Sequence, residues 1–436
     1  MSLLSRMSAP AAVHELAGLV SAVLNGPSGP AKLSAPPAPR LPTGPTGLGS
    51  AAARLWSLGP AGGAAKGSPA PTGRTAPGGT TAPTGTATPT TPTTPTRTTA
   101  PHGTATPDGQ TASAPSTGSH PTLYCPPALR DDPALGEAVN ERLVDWAAEI
   151  GIYPGQLDKV RSADFGRLMM LAHPESDDPD RLLAAAKCAL AEWAVDDHYV
   201  DGEAEEARHD LLGRRLAIAH SVIDQAQLPL RYAPELEQVV RADPVAMALR
   251  SALTNLHDHA TTTQVRRLRH ELAIMFVAYG QEGVWHTKGQ RPPVWEYLMH
   301  RHENSFIPCM VLVDAVAGYE VPMAEFSDPR VRRTFNLAGT ATVLMNDLYS
   351  MGKEDPTDFS LPMLIVAEEQ CSMEVAVERS VEIHDELMHT FEAEAAALSV
   401  TGSPELRRFL AGTWAWVGGN REWHAGSARY NVAEAA

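Results

Sequence analysis

Cysteine is scarce in this chain of 436 residues: there are four, Cys125, Cys188, Cys309 and Cys371, all far apart in sequence. No CxxC or Cys/His pairing is present, which excludes the common structural zinc modules. Three of the four fall in apolar, helix-patterned segments. They read as reduced, buried thiols, which suits a cytoplasmic protein. There is no run of about 18 apolar residues, so no helical membrane span is expected. The N-terminus lacks a continuous apolar core followed by a small-residue cleavage site, so no secretory signal is expected either. Acidic residues are nearly missing from the first 122 positions. These hold only Glu15 and Asp108 against seven Lys/Arg, a net of +5, and the rest of the chain carries −21. So acidic a main part argues against a nucleic-acid binder. It would also repel a phosphate-bearing substrate unless metal ions or local Arg and Lys intervene.

Large apolar side chains are also rare from residue 25 to about 122. The stretch "TAPTGTATPTTPTTPTRTTAPHGTATPDGQTASAPSTG" is of low complexity. It cannot bury enough surface to offset its ordering entropy, so residues 1–122 are expected to form a disordered Pro/Gly/Thr/Ala-rich tail. Within it, residues 11–26 ("AAVHELAGLVSAVLNG") show helical spacing. They read either as a short amphipathic helix or as a marginal one without a partner.

From about Leu123 the composition changes to Leu, Met, Trp, Glu and Arg. The helical period recurs over 134–150, 180–199, 203–225, 234–257, 264–288, 294–317, 329–349, 374–398 and 405–423. Short breakers such as "YPGQ", "LPLRYAP" and "GQRPP" separate the segments. Alternating β patterns are nearly absent. The expectation for 123–436 is one all-α domain of ten or more helices.

The chemistry is concentrated at two helix ends. In "LAEWAVDDHYVDGEAEE" an apolar segment stops at Asp196, Asp197 and Asp201, with Gly202 directly after. Carboxylates at a helix C-terminus are opposed by the macrodipole and by one another, a placement that a bound cation would relieve. A hard divalent ion wants such oxygen ligands. The other reading is a solvated acidic helix end. About 150 residues later, "LMNDLYSMGKEDP" sets Asn346, Ser350 and Glu354 at i, i+4 and i+8, nearly on one helix face. These too are hard oxygen donors, and Lys353 beside them suits an anion. Alone this segment also reads as a polar surface face. The pair of clusters, each ending an apolar helix, fits one shared cavity.

With these two motifs the chain resembles the class I terpene synthases. Asp196, Asp197 and Asp201 match their aspartate-rich motif, and "NDLYSMGKE" matches NDxxSxxxE. The resemblance covers essentially all of 123–436. "DDHYVD" with "NDLYSMGKE" behind a Pro-rich tail is similar to the 2-methylisoborneol synthase branch of that family. The branch's first motif reads DDHYCD, and Val200 stands here in place of its Cys. The resemblance implies a helical bundle around a central apolar cavity. It implies Mg2+, three ions bound together with substrate diphosphate, on Asp196, Asp197 and Asp201 on one side and on Asn346, Ser350 and Glu354 on the other. It implies that Arg301 in "EYLMHRHENSFIP" senses diphosphate, and that Arg429 and Tyr430 of "SARYN" contact it, with Lys353 completing the anion shell. Asn304 and Ser305 fall where many members carry Asp and Gly as linker and effector. The implied reaction is cyclisation of 2-methylgeranyl diphosphate with water capture to 2-methylisoborneol. An upstream geranyl diphosphate C-methyltransferase would supply the substrate, and a homodimer is a common state in the family.

Trp193, Phe276, Trp285, Tyr297, Phe306, Phe335, Trp414 and Trp416 are expected mostly in the core. A carbocation nevertheless needs aromatic faces, and Trp193, Tyr199 and Phe306 are the candidates for the cavity because they lie near the motifs. His198, His300 and His302 read as packing or rim residues. Two other readings are a sesquiterpene cyclase acting on farnesyl diphosphate, and a non-catalytic helical protein whose Pro-rich tail is a ligand for partner domains.

Overall fold

The computed structural model describes residues 122–202, 208–351 and 359–430. The expected tail up to residue 121, the segment 11–26, and Lys353 and Glu354 of the second motif lie outside the described residues. Among the described residues there are helices and no strands. In chain order they are α1 (Pro133–Ile150), α2 (Leu157–Ala163), α3 (Phe165–Ala172), α4 (Pro179–Val195), α5 (His209–Ile223), α6 (Ala233–Arg241), α7 (Pro244–Leu256) and α8 (Thr262–Lys288). Then follow α9 (Val294–Glu303), α10 (Ile307–Met310), α11 (Val313–Val316), α12 (Met323–Phe326), α13 (Pro329–Ser350), α14 (Leu361–Glu369), α15 (Met373–Thr401) and α16 (Pro404–Gly426). None is long and apolar enough to cross a membrane.

Many of the starts have one chemical cause. α1, α4, α7, α13 and α16 each begin with Asp-Pro or Ser-Pro. The acid or hydroxyl accepts from the first free backbone N–H groups, and proline supplies a preset φ where its missing N–H costs nothing. The same rule corrects one expectation. The helix expected over 234–257 is two helices, because Asp243 caps and Pro244 opens a new one. The helix expected over 294–317 is likewise broken. It stops at Glu303, and Pro308 opens the short α10. Helices α2, α3 and α14 were not read from the sequence. The first two are short and share Asp164, whose φ of 55° ends one while its side chain caps the other.

α4 is the central strut. Its alanines at 184, 185, 186, 189, 191 and 194 are buried, and it packs against α1, α3, α7, α10 and α11. α13 packs against α9, α14, α15 and α16. α16 also lies on α3 and α11, so it bridges the α4 and α13 sides of the bundle. Close approach is built with glycine. A Cβ on Gly166 of α3 would sit 2.3 Å from the Asn140 backbone N and 2.5 Å from the Gly136 carbonyl O. Gly166→Ala is therefore expected to lower stability by about 1–3 kcal/mol or more, because backbone rather than a flexible side chain must yield. A chemical denaturation midpoint checks it.

Candidate active site

The first motif does not continue α4 as an α-helix. Asp196–Val200 form a π turn, and the Asp201 N–H donates to the Asp196 carbonyl at 3.1 Å. The wider i→i+5 turn brings Asp196 and Asp201 to one side. A continued α-helix would instead have set Asp197 and Asp201, four residues apart, on one face. Asp196 is half-buried. Burial pushes its carboxyl well above the usual carboxylate range, and Asp201, Glu282 and Asp197 add to this, against the opposing charge of Arg301. Asp201, Glu282 and His286 present ligand atoms that lie within 4.8 Å of one another. Crowded carboxylates of this kind, Asp201 exposed and Glu282 half-buried, suit a divalent cation, and their oxygens suit Mg2+ better than the imidazole nitrogen does.

Asp197 faces the other way. Buried at 2% exposure, it accepts from the Tyr153 hydroxyl at 2.7 Å. The Lys159 ammonium lies 3.8 Å away and the Arg429 guanidinium 3.7 Å. Tyr199, expected on the cavity wall, is not there. Its ring lies under Arg215 and its hydroxyl donates to Asp243. The π turn re-aims both side chains.

On the second motif, the Asn346 amide nitrogen donates to the Tyr430 hydroxyl at 2.9 Å and meets His424 Nε2 at 3.1 Å. With its nitrogen so engaged, the carbonyl oxygen is the ligand atom it could offer a cation. Ser350 is buried one turn further along α13. The "SARYN" segment therefore ties the two motifs together, Arg429 to Asp197 and Tyr430 to Asn346.

Arg301 is not a surface residue: its side chain is 15% exposed and turned inward. Its Nη2 donates to Asp347 at 2.7 Å, and its Nε donates to the Tyr297 hydroxyl at 2.8 Å. Asp347 is fully buried and also accepts from Tyr297 and from the Leu361 N–H. The second residue of the NDxxSxxxE motif thus fixes the arginine in place. Asn304 donates to Glu282 at 3.1 Å, and Ser305 is buried at the break between α9 and α10. His300 is a packing residue that meets Glu282 at 3.1 Å. Burial works to raise the Glu282 carboxyl, but His300 and Arg301 hold it down at about 2.

A cavity of about 70 Å³ lies between these elements. It is lined by Glu192, Trp193 and Asp196 from the α4 side, Met275 and Tyr279 from α8, Arg301, Asn304, Ser305, Phe306 and Cys309 around the break, and Val343 and Asn346 from α13. Trp193 and Phe306 form part of an aromatic wall. Their centroids are 5.9 Å apart, Trp416 lies 5.6 Å from Phe306, and Arg429 stacks 4.8 Å above Trp193. A larger groove of about 730 Å³ between α5, α6 and α7 holds none of the motif residues, so size alone does not mark the site.

Three site residues were missed in the sequence. Glu282 and His286 form an i, i+4 pair in "QEGVWH", a signal that was available. Glu192 is a lone acid inside the apolar run, four residues before Asp196.

The family model "Terpene synthase family 2, C-terminal metal binding" matches residues 187–390. A 2-methylisoborneol synthase of Streptomyces griseus is 35% identical over 303 residues, covering 68% of this chain and 69% of that protein. One from Streptomyces lasalocidi is 34% identical, covering 66% and 60%. The chain thus spans between three fifths and seven tenths of the length of these relatives. The crystal structure of 2-methylisoborneol synthase from Streptomyces coelicolor A3(2), in complex with Mg2+ and geranyl-S-thiolodiphosphate, superposes with a TM-score of 0.67 at 38% identity, covering 73% of this chain and 99% of that one.

Proposed function

The chain belongs to the class I terpene synthase family, and on that premise we propose that it cyclises 2-methylgeranyl diphosphate to 2-methylisoborneol with capture of one water. The observation that carries this reading is the pairing of two oxygen-rich helix ends, bridged by Arg429 and Tyr430, over one aromatic cavity. The similarity to 2-methylisoborneol synthases supports the substrate. Residues 123–436 are the catalytic unit in this reading.

Breaking the allylic C–O bond leaves a carbocation and a highly charged diphosphate. Mg2+, when bound, neutralises that leaving group. Asp196 and Asp201 would hold it on one side, and Asn346, Ser350 and Glu354 on the other. Asp197 acts instead by holding Arg429. Arg301, already locked by Asp347 and Tyr297, offers a planar cationic fork to phosphate oxygens without further ordering cost. Arg429, Tyr430 and Lys353 complete the anion shell. Charge that develops on diphosphate then meets preorganised donors, the largest common source of rate. The faces of Trp193 and Phe306 stabilise the cation, and the apolar walls keep bulk water from trapping it. Asn304 and Ser305, at the break after α9, flank the reacting chain. Ionisation, isomerisation to the linalyl form, two ring closures and one water capture give the product.

A geranyl diphosphate C-methyltransferase must act first. We assign the enzyme to a reducing cytoplasm, because all four cysteines are unpaired, and to a homodimer as in many family members. The test is diphosphate release from 2-methylgeranyl diphosphate. It is expected with Mg2+ and expected to vanish with excess EDTA; release that persists in EDTA contradicts the metal assignment.

A further inference from the structure

We propose that Glu192 holds the quenching water in the cavity and takes its proton as the alcohol forms. This inference rests on the water-capturing reaction proposed above. Glu192 lies one helical turn before Asp196, whose N–H donates to the Glu192 carbonyl. Residues four apart share a helix face, so the Glu192 side chain lines the same cavity about 5–6 Å deeper than the metal-facing acid. One carboxyl oxygen is met by Cys309 Sγ at 3.5 Å, a weak donor. No other hydrogen bond or ion pair to this carboxyl is made among the described residues.

A carboxyl at 9% exposure among Trp193, Met275, Phe306 and Val343 is costly, and nothing in the packing compensates it. The polar groups at the cavity mouth are engaged with one another, as Arg301 is with Asp347 and Asn304 with Glu282. The remaining polar lining groups are the Ser305 hydroxyl, the Tyr279 phenol and the Cys309 thiol, and none of these is a useful proton acceptor. Burial raises the Glu192 carboxyl to about 8, so the acid form predominates at neutral pH and the ionised fraction, which is a stronger base than an ordinary glutamate, is the species that takes the proton.

The step balances as follows. A water lone pair forms the C–O bond to the cationic carbon of the closed ring system. One O–H bond of that water breaks, and its electron pair stays on oxygen. The proton passes to the Glu192 carboxylate. Without this acceptor the cation loses a proton from carbon instead, and a cyclic hydrocarbon leaves.

The experiment uses the full chain with Mg2+ and 2-methylgeranyl diphosphate, reading products by gas chromatography–mass spectrometry. Glu192→Gln keeps size and hydrogen bonding but removes the base. It is expected to lower the alcohol-to-hydrocarbon ratio by about tenfold or more. Glu192→Asp, which withdraws the carboxylate by one methylene, is expected to restore part of the ratio. A loss of both products at constant ratio in Gln and Asp variants would mean a structural role only and overturn the inference. If the wild type itself makes no C11 alcohol, the proposed function fails and this inference falls with it. A wild type that makes the alcohol beside a Gln variant with an unchanged ratio defeats this inference alone.

Discussion

Asp196→Ala is expected to reduce turnover by about a thousandfold or more while leaving the fold intact. The magnitude follows from removing a group that holds the charge-neutralising metal at the leaving diphosphate. The stability half of the prediction has a sign that can be worked out. Burial, Asp201, Glu282 and Asp197 raise the Asp196 carboxyl above its ordinary value. An acid whose folded value is raised binds protons more tightly in the folded state. Its contribution therefore turns unfavourable as pH climbs past the unfolded value, and at pH 7 the metal-free protein bears that cost. Removing the carboxyl relieves it, so in EDTA the variant should melt at or above the wild-type temperature. With Mg2+ and diphosphate the order should reverse, because the wild type alone gains ligand stabilisation. Thermal melts in both conditions, alongside the rate, check it. A folded Asp196→Ala variant with full activity contradicts the metal assignment.

Asp347→Ala is expected to lower unfolding free energy by about 3–5 kcal/mol, the usual result of removing one member of a buried ion pair. Asp347 has no exposed surface and accepts from Arg301, Tyr297 and the Leu361 N–H. Its loss strands a half-buried guanidinium, a phenol and a backbone donor together. Activity should fall with it, because Arg301 loses the contact that aims it. A urea titration measures the first effect. A change under about 1 kcal/mol, the range of exposed pairs, would show that the pair is not structural.

How far these residues were legible varies with the kind of signal. The start of α4 and α13 follows from Asp-Pro caps, and their ends from the abrupt change to oxygen donors. Arg301 was found, but its partner was not, since Asp347 is 46 residues away and only the packing of α9 on α13 joins them. Nearness to the motif does not put Tyr199 in the cavity, and sequence spacing does not put Asp197 among the metal-facing acids, because the π turn adds a residue to the turn and re-aims the side chains after it. The break after Glu303 is legible in "NSFIP", where Pro308, five residues on, sits in the first turn of α10. The place of Asn304 and Ser305 in the cavity wall was implied by the family resemblance rather than by that break. Glu192 carries no motif of its own: it is a lone acid in an apolar run, and only the fold shows that it lines the cavity.

The most direct test of the account is a competition. The purified protein with Mg2+ receives geranyl, 2-methylgeranyl and farnesyl diphosphates together, and the products are identified by gas chromatography–mass spectrometry. The account predicts 2-methylisoborneol as the dominant product, drawn from the methylated substrate. A dominant C15 product, or no Mg2+-dependent product from any of the three, would contradict it.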